Sequence, residues 1–423
     1  MSDKKFKWGV IQPLTGGMYI GARNAIGYDA EWCLSFPGLR DVKYNKEGVL
    51  TSAGNEYNLY NWFAKHNINL PYYTFNRGMF DQVGSLEDVI LSDGEKDVQL
   101  DYSDIDLVVA VPVCSGLSRV TTSSKEAKDE HNRNMLFIAS YALGIIKPKI
   151  YIFENAPELY SNRGEEVRSE LETIAKKYGY SVLYYKTDTQ YHANCQKRPR
   201  TFVIFQKWNN GVECKPQAYG YEHIEYKLAE YLSKIPAEAT QQEPLPMTHF
   251  NRCLIDYAKK IYGDDWRIKS YRDTMANFVK TGAWNDFSEF MHSKDYITEQ
   301  EMEKYDKFLE HAHYKVSIGK NYYSMSAYIG DPDKIGSVQF KSMSSYLHPT
   351  EERHYTVREA LHLMGMPHDF ELLGAVEANF PKIGQNVPVR TAQFIVAEAV
   401  KILDNWDEKR ESGSNVLFQD NTK

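Results

Sequence analysis

With 423 residues, 42% of them hydrophobic, the chain can bury one large core and a smaller appended one. Its formal net charge of −7 excludes a uniformly basic nucleic-acid-binding surface, so any such face must be a local patch of Lys and Arg. No run approaches the roughly 18 apolar residues of a membrane span, the opening MSDKKFKWGV is not patterned as a signal peptide, and five scattered cysteines (Cys33, Cys114, Cys195, Cys214, Cys253) without a CxxC pair argue against disulfides or structural zinc. A soluble chain without metal, in a reducing intracellular compartment, is expected.

Taken in chain order, residues 6 to about 205 alternate short apolar runs with amphipathic stretches, the pattern of βα units around a parallel sheet. The predicted strands are FKWGVIQ, AEWCLSF, IDLVVAVPV, PKIYIFENA, YSVLYYKT and RTFVIFQ, each rich in β-branched or aromatic residues. Predicted helices include NRNMLFIASYALGII and GEEVRSELETIAKKYG, the latter ending at Gly179 where a left-handed cap fits. The fold class is therefore α/β with a doubly wound, mostly parallel sheet. From about 210 to 345 regularity fades into a Tyr-, Lys- and Asp-rich stretch that includes the exposed-looking connection PAEATQQEPLP. Helical periodicity returns in YTVREALHLMGM and VRTAQFIVAEAVKILDNW. These shifts divide the chain into 1–209, a second lobe over 210–345, a return to the first lobe over 346–408, and a flexible polar tail over 409–423.

Three constellations carry chemistry. Cys114 lies in the loop Pro112-Val113-Cys114-Ser115-Gly116 after the strand IDLVVAV, at the strand end where doubly wound folds contact ligands; alone, it reads equally as a small buried hydrophobe. Glu154 ends the apolar strand PKIYIF, where desolvation would raise its pKa and suit it to hold a proton, although an ion pair or cap also accounts for it. Arg198 and Arg200 precede the strand TFVIF and, two apart, project to one face, where guanidinium forks can grip a carboxylate, carbonyl or phosphate or merely line a solvated edge.

In this order the motifs resemble those of the cytosine-C5 DNA methyltransferases. PVCSGLS is similar to the family's Pro-Pro-Cys loop, FENA to its Glu-Asn-Val motif and QKRPR to Gln-x-Arg-x-Arg. HYTVREALHLMGM resembles its Thr-x-Arg-Glu segment and KIGQNVPV its Ile-Gly-Asn-x-Val-Pro motif. The resemblance implies a Rossmann-like methyltransferase sheet with a smaller target-recognition lobe. It also implies S-adenosylmethionine as donor, attack of Cys114 on C6 of a flipped cytosine in double-stranded DNA, Glu154 at the N3 and N4 edge, Arg200 at O2, and Arg198 bracing Glu154 and the Cys114 loop. The basic residues Lys259, Lys260, Arg267, Lys269, Arg272, Lys280, Lys315, Lys320 and Lys341 of the second lobe would meet DNA phosphates. A cytoplasmic monomer in a bacterial or phage-infected cell is expected, with no membrane partner.

The donor side departs from the family. Gln12-Pro13-Leu14-Thr15-Gly16-Gly17 stands for Phe-x-Gly-x-Gly-Gly and keeps only Gly16 and Gly17; Ser35-Phe36 stands where the family has an acidic and a large apolar residue; and Gln385-Asn386-Val387 replaces Asn-x-Val. Asp81 and Pro112 are further candidates for the cofactor site. These changes leave open ordinary S-adenosylmethionine, a modified sulfonium delivering a larger group, a transfer-RNA cytosine methyltransferase, and a silent DNA-binding paralogue.

Overall fold

The computed structural model describes residues 6–75, 85–114, 116–117, 125–208, 226–244, 246–267, 284–319, 328–329, 331–336, 346–406 and 416–420. In chain order its main elements are β1 (Trp8–Ile11), α1 (Gly17–Ile26), β2 (Trp32–Ser35), β3 (Val42–Tyr44), β4 (Leu50–Ala53), α2 (Asn55–Lys65), β5 (Tyr72–Phe75), β6 (Leu91–Ser92), β7 (Asp97–Val98), β8 (Leu107–Ala110), α3 (Lys125–Tyr141), β9 (Ile150–Asn155), α4 (Glu165–Tyr178), β10 (Tyr180–Asp188) and β11 (Pro199–Lys207). They continue with α5 (Leu228–Leu232), α6 (His249–Tyr262), α7 (Trp284–His292), α8 (Glu299–Ser317), β12 (Tyr328–Ile329), β13 (Tyr346–Leu347), α9 (Val357–Leu363), α10 (Val376–Gln385), α11 (Val389–Asp404) and β14 (Val416–Asp420). All six strands expected from the sequence are present.

One sheet runs in the order β14-β10-β11-β9-β8-β1-β2-β5-β6-β7. Its centre is parallel, with β1 between β8 and β2 in the registers Gly9↔Val108 and Gly9↔Trp32. These strands are apolar on both faces because helices cover both. Gly9 is required by packing: a Cβ there would lie 2.3 Å from the Trp32 ring. β11 runs antiparallel to both β9 and β10, because the connection 189–198 is too short to hold the crossover that a parallel return needs. Helix α4 ends at Gly179 with φ +79, the left-handed cap anticipated there.

The chain forms two compact units, 1–224 with 363–423, and 225–362. The second unit has its own core, in which Phe250, Leu254, Tyr257, Phe287, Met291, Leu309 and Leu347 pack together. Its helix α8 begins with a reciprocal cap in which the Glu301 amide donates to Thr298 Oγ1 and the Thr298 amide to Glu301 Oε2. Residues 346–362, expected with the sheet, lie in this unit: Leu347 joins its core, β13 pairs with β12, and Arg358 Nε donates to the Thr240 carbonyl at 3.0 Å. The tail expected to be flexible contributes β14, which lies parallel to β10, with Lys186 paired to Asp420 at 3.1 Å. The apolar Val416, Leu417 and Phe418 supply a β-forming run that a polar average over the tail conceals. No helix among the described residues is long and apolar enough to cross a membrane.

Candidate active site

The carboxyl ends of β1, β2, β8 and β9 share one edge of the sheet, since all four strands run parallel. Cys114 follows β8 by a few residues, and its carbonyl accepts from the Leu117 amide at 3.2 Å, which turns the loop. Gly116 holds that loop against α3, because a Cβ there would meet the Lys128 carbonyl at 2.7 Å and the Asn132 side chain at 2.2 Å. The thiol is half-buried. Burial and the nearby Glu154 push the Cys114 thiol above its ordinary pKa, while Arg200 and Arg198 pull it down.

Glu154 is buried near the end of β9, opposite Phe202 on β11. Arg200 is the diagonal neighbour on the same face, and its Nε donates to Glu154 Oε1 at 2.7 Å. Burial raises the Glu154 carboxyl above the usual carboxylate range, and the two arginines oppose the shift without cancelling it. The next residue, Asn155, fixes the strand end: its Oδ1 accepts from the Ala156 amide at 2.9 Å and its Nδ2 reaches Met135 Sδ on α3.

Arg198 has a different set of contacts. Its amide donates to Asp188 Oδ1 at 2.9 Å, and its guanidinium donates to the carbonyls of Gly384 and Asn386 at the end of α10. Arg200 thus bonds Glu154 directly, and the charge of Arg198 acts on both Glu154 and Cys114. Arg200 lies within β11, diagonal to Glu154 and opposite Thr187 of β10, whereas Arg198 precedes the strand.

On the donor side, Asn386 rather than Gln385 reaches back to the first turn of α1. Its Oδ1 accepts from the Gly17 amide at 2.9 Å, whereas Gln385 bonds Asn55 at the surface. A Cβ on Gly17 would lie 1.8 Å from the Val387 carbonyl, which accounts for glycine there. The preceding loop keeps left-handed backbone at Gln12 (φ +52), Leu14 (φ +51) and Gly16 (φ +102), although only the last is a glycine. Pro112 is buried, and Phe36 packs against Phe75 with ring centroids 5.0 Å apart. Ser35 donates to Glu56, an acidic residue on α2 not anticipated from the sequence. Asp81 lies outside the described residues, as do Lys269, Arg272, Lys280, Lys320, Lys341 and Cys214. Of the basic residues expected to meet phosphate, Lys259 pairs with Glu352 at 2.5 Å and Lys260 with Asp286 at 3.8 Å, so their charge is partly neutralised.

Residues 71–401 match the family model for C-5 cytosine-specific DNA methylases. The chain belongs to that family. The chain is 25% identical over 339 residues to a type II methyltransferase of Bacillus paralicheniformis, covering 71% of each chain. It is 22% identical over 316 residues to one of Haemophilus parahaemolyticus, covering 74% of this chain and 73% of that one. Among solved structures, the Dnmt2 methyltransferase of S. pombe aligns at 12% identity with a TM-score of 0.47, covering 95% of this chain and all of the other. Enzymes of this kind generally use S-adenosylmethionine, and the buried Gln12 Oε1, which has no hydrogen-bond partner, leaves an acceptor in the loop after β1 for such a ligand. Among the described residues no cluster of His, Cys, Asp or Glu is placed to hold a metal.

Proposed function

We propose that this chain methylates C5 of cytosine in double-stranded DNA, with Cys114 as covalent nucleophile and Glu154 as the acid at the pyrimidine edge. The observation that carries the reading is the grouping of Cys114, Glu154, Arg198 and Arg200, whose charges act on one another at the ends of adjacent strands. C5 is a poor nucleophile until the ring gains an electron pair, and a thiolate adding to C6 supplies it. Glu154, its pKa raised by burial, delivers a proton to N3, so the ring electrons collect at C5 as an enamine rather than an anion. A Glu154 that holds its proton also removes the nearby negative charge that disfavours the Cys114 thiolate. Arg200 would then turn from Glu154 toward the base O2, while Arg198 keeps the site attached to the Gly384–Asn386 segment.

When bound, S-adenosylmethionine supplies an electrophilic methyl carbon on its sulfonium. Gly16, Gly17, Ser35, Phe36, Pro112 and Val387 would border it. Loss of the C5 proton to a base then expels Cys114 by β-elimination and restores the aromatic ring. Access to the ring requires that the base leave the stack, at a cost of a few kcal/mol. The unit 225–362 is proposed to hold the duplex.

Mass spectrometry of nucleosides from duplex DNA incubated with the protein and S-adenosylmethionine, with Cys114→Ala as blank, tests the reading. 5-Methylcytosine is expected. A larger added mass with a modified sulfonium would replace the donor assignment, modification of structured RNA alone would move the substrate, and unchanged nucleosides throughout would leave a silent paralogue.

A further inference from the structure

Cys114 and Glu154 arrive from different strands, β8 and β9, yet the reaction proposed above needs the thiol at C6 and the carboxyl at N3 of one ring. We propose that a single face of α3 sets their separation: Asn132 is a positioning residue for the Cys114 loop, and Met135 is one for the end of β9 that carries Glu154. The proposal rests on the reading of Cys114 as nucleophile.

Lys128, Asn132 and Met135 follow one another along α3 at spacings of four and three, so they share one side of the helix. That side meets the sheet, since Met135 belongs to the core that includes Ala110 of β8, Phe153 of β9 and Leu117 of the cysteine loop. Its first two positions form a seat for the loop. The Cβ that Gly116 lacks would lie 2.2 Å from Asn132 Oδ1 and 2.7 Å from the Lys128 carbonyl oxygen, so one Cα–H of Gly116 is directed at two oxygens. Gly116 is buried there, two residues beyond Cys114, and the Leu117 amide closes the turn onto the Cys114 carbonyl at 3.2 Å. The depth at which Gly116 settles on α3 therefore governs where the thiol stands.

Met135 holds the other strand end. Asn155 Nδ2 donates to Met135 Sδ at 3.3 Å, and both residues are fully buried. Side chains alternate along a strand, so Asn155 faces α3 while Glu154 is presented on the opposite face, where Arg200 meets it. The Asn155 Oδ1 accepts from the Ala156 amide at 2.9 Å, which leaves its side-chain amide one orientation. Glu154 is thus placed through its neighbour.

Packing alone does not call for these residue types. An apolar side chain at 132 would seal the helix against the loop, whereas Asn132 Oδ1 is buried without a hydrogen-bond partner, a costly arrangement for a group with no task. Leucine at 135 would fill the core about as well but could not accept from Asn155.

Steady-state methylation of duplex DNA by the full chain carrying Asn132→Ala or Met135→Leu tests the idea, beside calorimetry with S-adenosylhomocysteine and alkylation of Cys114 by iodoacetamide. Each variant should lower kcat about 10- to 100-fold, the cost of a displacement near one ångström, while S-adenosylhomocysteine affinity changes less than about twofold. Asn132→Ala should also change the rate of Cys114 alkylation at fixed pH. Met135→Leu should leave that rate unchanged and shift the pH profile of kcat, because it moves Glu154. Unchanged kcat in either variant would overturn the proposal, as would unchanged Cys114 alkylation in Asn132→Ala. So would a kcat that falls together with donor affinity and melting temperature, the mark of a helix that only braces the fold. Should Asn132→Ala not fold, Asn132→Ser carries the comparison. Wild-type turnover that survives Cys114→Ser, or no wild-type turnover, overturns the nucleophile reading and this proposal with it. Turnover that needs Cys114 but neither Asn132 nor Met135 overturns only the proposal.

Discussion

The two halves of the sheet edge differ in what they keep. On the cytosine side, residue types match the family motifs at Cys114, Glu154, Arg198 and Arg200. On the donor side, residue types change while backbone shape persists: Leu14 stands in place of a family glycine yet holds φ +51, and Ser35 at the end of β2 donates to Glu56 of α2. Left-handed backbone at a non-glycine residue costs about 1–2 kcal/mol, so the surrounding structure must enforce it. Covalent chemistry demands a particular functional group at one place, whereas binding demands only that a donor or acceptor arrive from somewhere.

The largest expected effect sharpens this contrast on the cytosine side. Cys114→Ser should lower turnover by roughly three orders of magnitude or more and abolish trapping of DNA containing 5-fluorocytosine, with S-adenosylhomocysteine affinity unchanged. An adduct that survives in the mutant would place the nucleophile elsewhere. Next comes Glu154→Gln, expected to slow the reaction by about 10²–10⁴ while making Cys114 easier to alkylate. Removing the carboxylate deletes one cause of the raised thiol pKa and frees Arg200 to favour the thiolate, so alkylation of the ligand-free protein should begin at lower pH. Alkylation against a Cys114→Ser control reads this directly, and a shift to higher pH would contradict the proposed coupling.

Arg198→Lys should affect both halves, because the guanidinium joins the β11 entry to the carbonyls of Gly384 and Asn386. Leaving these carbonyls poorly satisfied costs about 1–3 kcal/mol, which thermal melting should register as a drop of several degrees, together with a higher KM for the donor. A variant that melts like the wild type would sever the link between the halves.

The smallest effect concerns Glu56, whose carboxyl is pushed up to about 7 by burial. A carboxyl whose folded pKa exceeds its unfolded value stabilises most below the unfolded value, and that contribution is lost as pH rises through the folded one. The melting temperature of Glu56→Gln relative to wild type should therefore rise between pH 5 and pH 8, by a few degrees. A difference constant across that range would mean that Glu56 does not titrate there.

The central strands and α4 were legible because continuous apolar runs and the Gly179 cap act locally. The β3–β4 arm was not, since VKY and LTSA are short, polar and half-exposed. Cys114, Glu154 and the arginine pair could be read from residue type and strand end, but not that Arg200 donates to Glu154 while Arg198 reaches the Gly384 and Asn386 carbonyls, which depends on long-range packing. Glu56 left no signal: as a single acid in the first turn of a helix it looks like a favourable dipole partner, and only the long-range bond from Ser35 gives it another meaning.

Helix α1 has a timing consequence. Its Gly17 and Gly21 make room for the Val387 carbonyl and for Ala392, where α11 packs. Those partners are separated from α1 by the whole of the unit 225–362. At 5–20 residues per second, a ribosome delivers Ala392 on the order of tens of seconds after Gly21. During that interval the glycine face of α1 lacks its native neighbour, and the second unit can fold before the first is closed. A nascent chain stalled before residue 387 would therefore carry the cysteine loop without the segment that ties Arg198 and Gly17 together.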